Sequence, residues 1–265
     1  MTLVNFLFFI KIEIMKTISV VNQKGGTAKT TTVVSLSSYL ANFGKKILLI
    51  DFDPQANATS GLGVNDFKKT IYEVLSGQAS ILESLVKIKE NFYLIPASEN
   101  LAGANIELVN EPDREFKLAK IIDHLPSDYD FVFIDTPPSL GLLTINSLVA
   151  SDEVLIPIQA EYYALEGLGQ LLNTLNLIKE NLNQKLKILG AVITMYDERA
   201  KLSREVLEEL YKNFPGRIFR TVIPRSVKLA EAPSFGKSIL EYAPNSKGAR
   251  AYQRLAIEFL YYNNF

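Results

Sequence analysis

One loop of this chain combines residue types that suit phosphate binding. It consists of Gln23, Lys24, Gly25, Gly26, Thr27, Ala28, Lys29, Thr30 and Thr31. Glycines let backbone N–H groups curl around an anion, a lysine adds a mobile cation, and the hydroxyl that follows is placed to ligate Mg²⁺. The order predicts a site for nucleotide phosphates, with Lys29 as the cation and Thr30 as the metal ligand.

The loop departs from the common phosphate-binding pattern G-x-x-x-x-G-K-[ST]. Gln23 and Ala28 stand at the two glycine positions, and an additional lysine, Lys24, opens the loop. If residue 28 requires a positive φ angle, an alanine there costs about 1 kcal/mol, whereas in an α-like turn the cost is negligible. The departure therefore carries information about which class of phosphate-binding loop this is.

Acidic residues follow two of the apolar runs in the chain. Asp51 comes directly after residues 47–50, with Asp53 two residues further on, and Asp135 comes directly after residues 131–134. Carboxylates at strand ends beside a phosphate loop organise Mg²⁺, directly or through water. Either cluster alone could be a helix cap or a turn, but both together with the loop predict nucleotide binding. A third cluster, 195–199, could face the nucleotide, face a partner, or form an ordinary turn with an ion pair.

The elements that position these residues alternate along the chain. Short apolar runs occupy 17–21, 47–50, 92–95, 131–134, 154–156 and 186–194, and helix-period segments occupy 30–43, 116–125, 165–179, 203–211 and 247–260. Gly44 is expected to end the first helix. Uninterrupted apolar strands alternating with helices predict a doubly wound α/β fold, with a mostly parallel twisted sheet and helices on both faces. Ligands of such folds bind at the carboxyl ends of the strands.

Composition excludes several kinds of site. The chain has 265 residues, no cysteine and one histidine, so disulfides, iron–sulfur clusters and thiolate zinc sites are excluded. Net charge is −1, yet residues 217–250 hold seven Lys/Arg against two Asp/Glu. On charge alone, this basic excess is equally compatible with a solvated surface and with a binding surface.

No apolar run approaches the ~20 residues that span a bilayer. Residues 1–14 are interpreted as an extension upstream of a natural start at Met15, the alternatives being an extra strand or a weak membrane anchor, and 15–265 as a single domain.

The motifs together resemble the ParA/Soj family of partition ATPases, whose phosphate loop is a deviant Walker A motif. The resemblance runs from about residue 15 to about residue 260, through 24–31, 51–63, 135–146, 161–168, 223–236 and 246–252. The loop alone would also admit the MinD group of division-site proteins. The segments 161–168 and 223–236 favour the chromosomal ParA/Soj branch.

The resemblance implies a role for each matching residue. Lys29 would neutralise the β- and γ-phosphates, and Lys24 would reach across a dimer to the partner's nucleotide. Asp53 would orient or activate the attacking water. Thr30 would ligate Mg²⁺, Asp51 and Asp135 would support the metal shell, Pro224 and Ser226 would contact adenine through their backbone, and Arg199 and Lys228 would bind DNA without sequence preference.

The implied function is a DNA-partitioning ATPase with ATP and Mg²⁺ as cofactors. It would form a homodimer on ATP binding, coat double-stranded DNA nonspecifically, and leave DNA when a ParB/Spo0J-like centromere-binding protein stimulates hydrolysis. Such a protein would be cytoplasmic and nucleoid-associated, without stable membrane association. Two alternatives stay open: a MinD-like membrane-cycling ATPase, disfavoured because 251–265 is poor in Lys and Arg, and a non-hydrolysing DNA-binding regulator in which Ala28 has cost the chain its turnover.

Overall fold

The structure is a computed structural model that describes residues 15–161 and 164–265, without the side chains of 164–166. The expected N-terminal extension, 1–14, lies outside the described residues. Among the described helices, none combines the length and the apolar character needed to cross a membrane.

A seven-stranded sheet forms the centre of the described chain, and six of its strands run parallel. Its order is β3-β4-β2-β5-β1-β6-β7. The strands are β1 (Lys16–Val20), β2 (Ile47–Asp51), β3 (Val86–Lys89), β4 (Phe92–Ile95), β5 (Phe131–Asp135), β6 (Glu153–Gln159) and β7 (Lys187–Thr194). Only β3 is antiparallel, and it lies at the sheet edge beside β4. The predicted doubly wound α/β fold is confirmed, whereas the edge strand β3 was not predicted.

Helices cover both faces of this sheet. They are α1 (Lys29–Asn42), α2 (Asn57–Gly61), α3 (Ile71–Leu75), α4 (Leu101–Glu107), α5 (Lys117–Ile122), α6 (Leu142–Val149), α7 (Ala164–Asn181), α8 (Lys201–Asn213), α9 (Val227–Glu231), α10 (Ile239–Tyr242) and α11 (Lys247–Tyr262). The five helices predicted from periodicity correspond to α1, α5, α7, α8 and α11, with ends that differ by up to three residues. The short helices were missed because one or two turns contain too few residues to show a 3.6-residue period.

The uninterrupted apolar strands are explained by burial on both faces. Leu49 and Phe133 point into a core formed with α1 and α11, whereas Leu48 and Ile134 point into a second core beneath α3 and α5. Successive side chains of a strand face opposite sides, so both sides must be apolar when both are covered.

Helix α1 connects the phosphate loop to this core. Its buried Thr32 hydroxyl lies 3.0 Å from the Tyr252 hydroxyl of α11, within hydrogen-bonding distance. Burial raises the pKa of Tyr252. At the other end of α1, Gly44 has φ +85°, and its N–H donates to the Ala41 carbonyl at 3.0 Å. The predicted end of the first helix is thus observed, with glycine in the left-handed conformation that commonly follows a helix.

Candidate functional site

The predicted phosphate loop borders a cleft of about 360 Å³ at the carboxyl ends of the central strands. The lining residues are Gly25, Gly26, Thr27, Ala28, Lys29, Thr30, Thr31, Asp53, Asn57, Ser60, Pro138, Met195 and Pro233. The structure therefore brings seven of the nine predicted loop residues together with Asp53. Clefts of this volume are typical of small-molecule sites.

The loop backbone contains two residues in the left-handed conformation before α1 begins. Gly26 has φ +76° and Ala28 has φ +66°, and the Ala28 carbonyl accepts a hydrogen bond from the Thr32 N–H at 2.8 Å. This decides between the two alternatives for residue 28, because alanine here adopts the conformation that costs an L-residue about 1 kcal/mol or more. Met195, which also lines the cleft, has φ +52°. Backbone strain of this kind concentrates at ligand sites.

Hydrogen bonds from two neighbouring strands hold the loop in place. The Thr194 hydroxyl at the end of β7 donates to the Thr27 carbonyl at 3.0 Å. Asn22 donates through Nδ2 to the Pro157 carbonyl of β6 at 2.8 Å and accepts the Lys24 N–H through Oδ1 at 3.0 Å. The loop shape is thus fixed by tertiary contacts before any ligand binds.

Lys29, which lines the cleft, and Asp135 are both buried, and each influences the pKa of the other. Burial lowers the pKa of Lys29, which is only 7% exposed, while the charges of Asp135 and Asp53 oppose that change. Burial also raises the pKa of Asp135 well above its usual value, with a further contribution from the charge of Asp51. The Thr30 side chain and Lys29 oppose this rise.

Neither carboxylate oxygen of Asp135 has a partner that meets hydrogen-bond geometry among the described residues. A buried polar group in this state calls for a ligand or water that completes it. Carboxylate and hydroxyl oxygens are the ligands that Mg²⁺ prefers, so Asp135 together with Thr30 fits a magnesium ion bound with a nucleotide.

Asp51 lies beside Asp135 on the neighbouring strand, but its carboxylate already accepts hydrogen bonds from within the protein. Its Oδ2 accepts hydrogen bonds from the Thr59 N–H at 2.8 Å and the Thr59 hydroxyl at 2.7 Å, and its Oδ1 accepts the Asp53 N–H at 3.3 Å. Burial raises the pKa of Asp51 to about 6, although these hydrogen bonds lower it. The arrangement makes Asp51 a brace for the turn that carries Asp53, so that support of a metal shell would be indirect.

Asp53 itself is buried yet borders the cleft. Its Oδ1 accepts the Gln55 N–H at 3.0 Å, and its backbone carbonyl accepts the Ala56 N–H at 2.8 Å. Thr59, which fixes this turn through Asp51, was not identified from the sequence. No local signal could have revealed it, because its role depends on contact with a strand eight residues earlier.

The segment predicted to contact adenine lies next to the end of β7. The Tyr196 N–H donates to the Ile223 carbonyl at 3.0 Å, and the Arg225 N–H donates to the Tyr196 carbonyl at 3.2 Å, so Pro224 is held beside Tyr196. Ser226 precedes α9 and its side chain makes no capping hydrogen bond. The adenine contact itself stays a prediction.

The two predicted DNA-binding residues, Arg199 and Lys228, are exposed, and each forms an ion pair with an acidic residue. The Arg199 side chain is 87% exposed, and its Nε and Nη2 donate to Asp197 at 3.1 Å. Lys228 Nζ donates to Glu231 at 2.9 Å. The segment 195–199 therefore has features of two of the alternatives given for it. Met195 lines the cleft, and Asp197 forms an ion pair with Arg199.

A second concavity, of about 610 Å³, is lined by three of the seven Lys/Arg of residues 217–250 and by two further arginines. Its cationic lining residues are Arg199, Arg225, Lys247, Arg250 and Arg254, against Asp197 and Glu198, and Lys228 is not among them. The sequence indicated this surface only as an excess of charge, because the residues come from three separate segments.

Comparison with known proteins identifies the family. A family model described as an AAA domain matches residues 15–188. The chain is 50% identical over 246 residues to the sporulation initiation inhibitor protein Soj of Bacillus subtilis, covering 92% of this chain and 97% of that protein. It is also 50% identical, with the same coverage, to the chromosome-partitioning ATPase Soj of Treponema pallidum. Among solved structures, cobyrinic acid a,c-diamide synthase of Mycobacterium smegmatis with bound ADP and magnesium is similar with a TM-score of 0.84 at 37% identity, covering 95% of this chain and 96% of that one. The chain belongs to the Soj/ParA family of chromosome-partitioning ATPases.

Proposed function

We propose that this protein hydrolyses ATP with Mg²⁺ and uses the cycle to partition DNA. In this cycle ATP binding produces a homodimer that binds double-stranded DNA without sequence preference. A ParB-type centromere-binding partner then stimulates hydrolysis, which releases the protein. The proposed location is the cytoplasm, on the nucleoid.

The observation that carries the proposal is the buried Lys29 of the loop together with the buried Asp135, whose carboxylate oxygens meet hydrogen-bond geometry with no partner among the described residues. Phosphoryl transfer needs positioning and charge neutralisation more than covalent chemistry. Lys29 and the loop N–H groups would bind the phosphate oxygens, and Thr30 with Asp135 would hold the metal. Mg²⁺, when bound, would neutralise charge on the phosphates. Asp53, at the border of the cleft, would orient the attacking water.

A dimer is supported by the position of Lys24. Its side chain is not part of the cleft lining, and its amine pairs instead with Glu161 at 3.3 Å. A lysine that does not serve its own phosphate cleft is available to another molecule's nucleotide. ATP would then act as the ligand that shifts a monomer–dimer equilibrium.

DNA binding is supported by the basic concavity. Its five cations stand against two acids, a balance suited to phosphodiester groups and to salt-dependent binding. Dimerisation presents two such surfaces at once, so affinity for DNA would follow the nucleotide state through avidity.

Phosphate release, measured with DNA and a cognate ParB-like peptide separately and together, tests this function. We expect a low rate for the protein alone and the highest rate with both additions in the presence of Mg²⁺. A chain that binds ATP and DNA but releases no phosphate under any condition would instead be a non-hydrolysing regulator. Co-sedimentation with liposomes would favour the membrane-cycling alternative.

A further inference from the structure

We propose that Glu161 is a positioning residue for Lys24, holding its amine in the nucleotide-free monomer and competing for it with the partner's nucleotide. The proposal rests on the proposed function in one respect, the action of Lys24 across a dimer. It adds a position for the Lys24 amine in the monomer, beside Glu161, and makes Glu161 the residue that controls how readily Lys24 is released.

Glu161 lies two residues beyond the end of β6 and contacts three side chains at once. Its Oε2 accepts a hydrogen bond from Lys24 Nζ at 3.3 Å. Its Oε1 accepts Gln159 Nε2 at 2.6 Å and lies 3.5 Å from a guanidinium nitrogen of Arg225. The carboxylate is thus oriented by β6 and by the Arg225 segment, with one oxygen directed at Lys24.

The start of the phosphate loop, next to Lys24, is held against α7, which follows Glu161 in the chain. Gln23 Nε2 donates to the Gly167 carbonyl at 2.9 Å and to Gln170 Oε1 at 3.0 Å. A Cβ atom at Gly167 would lie 3.2 Å from Gln23 Nε2, so the approach is close. Since the Lys24 N–H is also bonded to Asn22, the start of the loop is fixed. Release of Lys24 from Glu161 therefore requires only rotation of a side chain.

The ion pair between Lys24 and Glu161 is weak enough to be displaced by a nucleotide. The Lys24 and Glu161 side chains are 35% and 43% exposed, and ion pairs exposed to this extent contribute little. A triphosphate carries more negative charge than one carboxylate and can therefore displace it. Removing the charge of Glu161 while keeping its shape should favour the dimer by about two- to five-fold.

The first test measures dimerisation by sedimentation velocity with Mg²⁺ and a non-hydrolysable ATP analogue, so that turnover does not disturb the equilibrium. Glu161→Gln should lower the dimer dissociation constant by about two- to five-fold. The matched control is Glu180→Gln, which removes one negative charge from an exposed position near the end of α7 and should leave the constant unchanged. Unchanged or weaker dimerisation of Glu161→Gln overturns the proposal.

The second test follows the amine directly in the nucleotide-free monomer. The acylation rate of Lys24, measured by mass spectrometry against the other lysines of the same sample, should rise in Glu161→Gln and stay unchanged in Glu180→Gln. The proposal requires both this rise and tighter dimerisation, and the absence of either overturns it.

Wild-type protein and Lys24→Ala separate a failure of this proposal from a failure of the proposed function. If wild-type protein stays monomeric with the analogue, or Lys24→Ala dimerises like wild type, action across a dimer fails and the role of Glu161 fails with it. If wild type dimerises, Lys24→Ala does not, and Glu161→Gln behaves like wild type in both tests, the proposed function stands and only the role of Glu161 is overturned.

Discussion

Replacing Ala28 with glycine should stabilise the protein. Ala28 has φ 66° and ψ 33° immediately before α1, a left-handed conformation that costs an L-residue about 1–2 kcal/mol and costs glycine almost nothing. Glycine also makes the unfolded chain more flexible, which offsets about 0.4–1 kcal/mol of that gain. The difference predicts a free energy of unfolding that is higher by about 0.5–1 kcal/mol. For a chain of this size the melting temperature should rise by about 1–4 °C.

The measurement is thermal unfolding without nucleotide, because a bound ligand would add its own stabilisation. A matched control is Ala102→Gly, at an exposed position within α4, where the helical backbone gives glycine no advantage. This control should lose about 0.5–1 kcal/mol, so the two substitutions should have opposite signs. If Ala28→Gly destabilises as much as Ala102→Gly, the strain argument is refuted and the Ala28 methyl group must contribute more through packing than the turn costs.

Three further substitutions test the site and its support. Asp53→Ala should trap an ATP-bound dimer on DNA, because the residue proposed to orient water at the cleft is gone; rapid turnover in phosphate-release assays would remove Asp53 from that role. Arg199→Glu combined with Lys228→Glu should weaken DNA binding and reduce the salt slope by about 2, and mobility shifts that match wild type at several salt concentrations would exclude both residues from the DNA site. Tyr252→Phe should lower the free energy of unfolding by about 1 kcal/mol, because it deprives the buried Thr32 hydroxyl of a partner; an unchanged urea midpoint would show that Thr32 finds another partner.

The fold was predictable from sequence where local pattern and tertiary environment agree. The run 47–50 is apolar throughout, and its side chains are buried alternately on the two faces of the sheet. The edge strand β3 was missed because the prediction relied on uninterrupted apolar runs, whereas Lys87 and Lys89 alternate with apolar residues in β3 and none of its side chains is fully buried. Alternation over only four residues is too short to predict a strand on its own, and pairing with β4 decides the structure of this segment.

The candidate site was predictable in its residue types and less so in its geometry. Glycines, lysines and strand-end carboxylates identified the loop and the cleft. The conformation of Ala28 was left between two alternatives, because φ at one residue depends on how the preceding loop is tied to β6 and β7. Glu161 was recognised within a family motif but without a role, since its contacts with Lys24 and Arg225 join segments more than 60 residues apart.

The largest difference between sequence and structure concerns the two strand-end aspartates. The sequence predicted the same role for Asp51 and Asp135 because each follows an apolar run, and in the structure they are paired in register on neighbouring strands and are both fully buried. Thr59 separates them, because it supplies two hydrogen bonds to Asp51 while Asp135 has no such partner among the described residues. Burial, and then the charges of Asp51 and Asp53, raise the pKa of Asp135, so a cation at Asp135 would relieve a repulsion that hydrogen bonds cannot remove. Asp51 therefore shapes the turn that carries Asp53, whereas the carboxylate of Asp135 stays available to the proposed Mg²⁺.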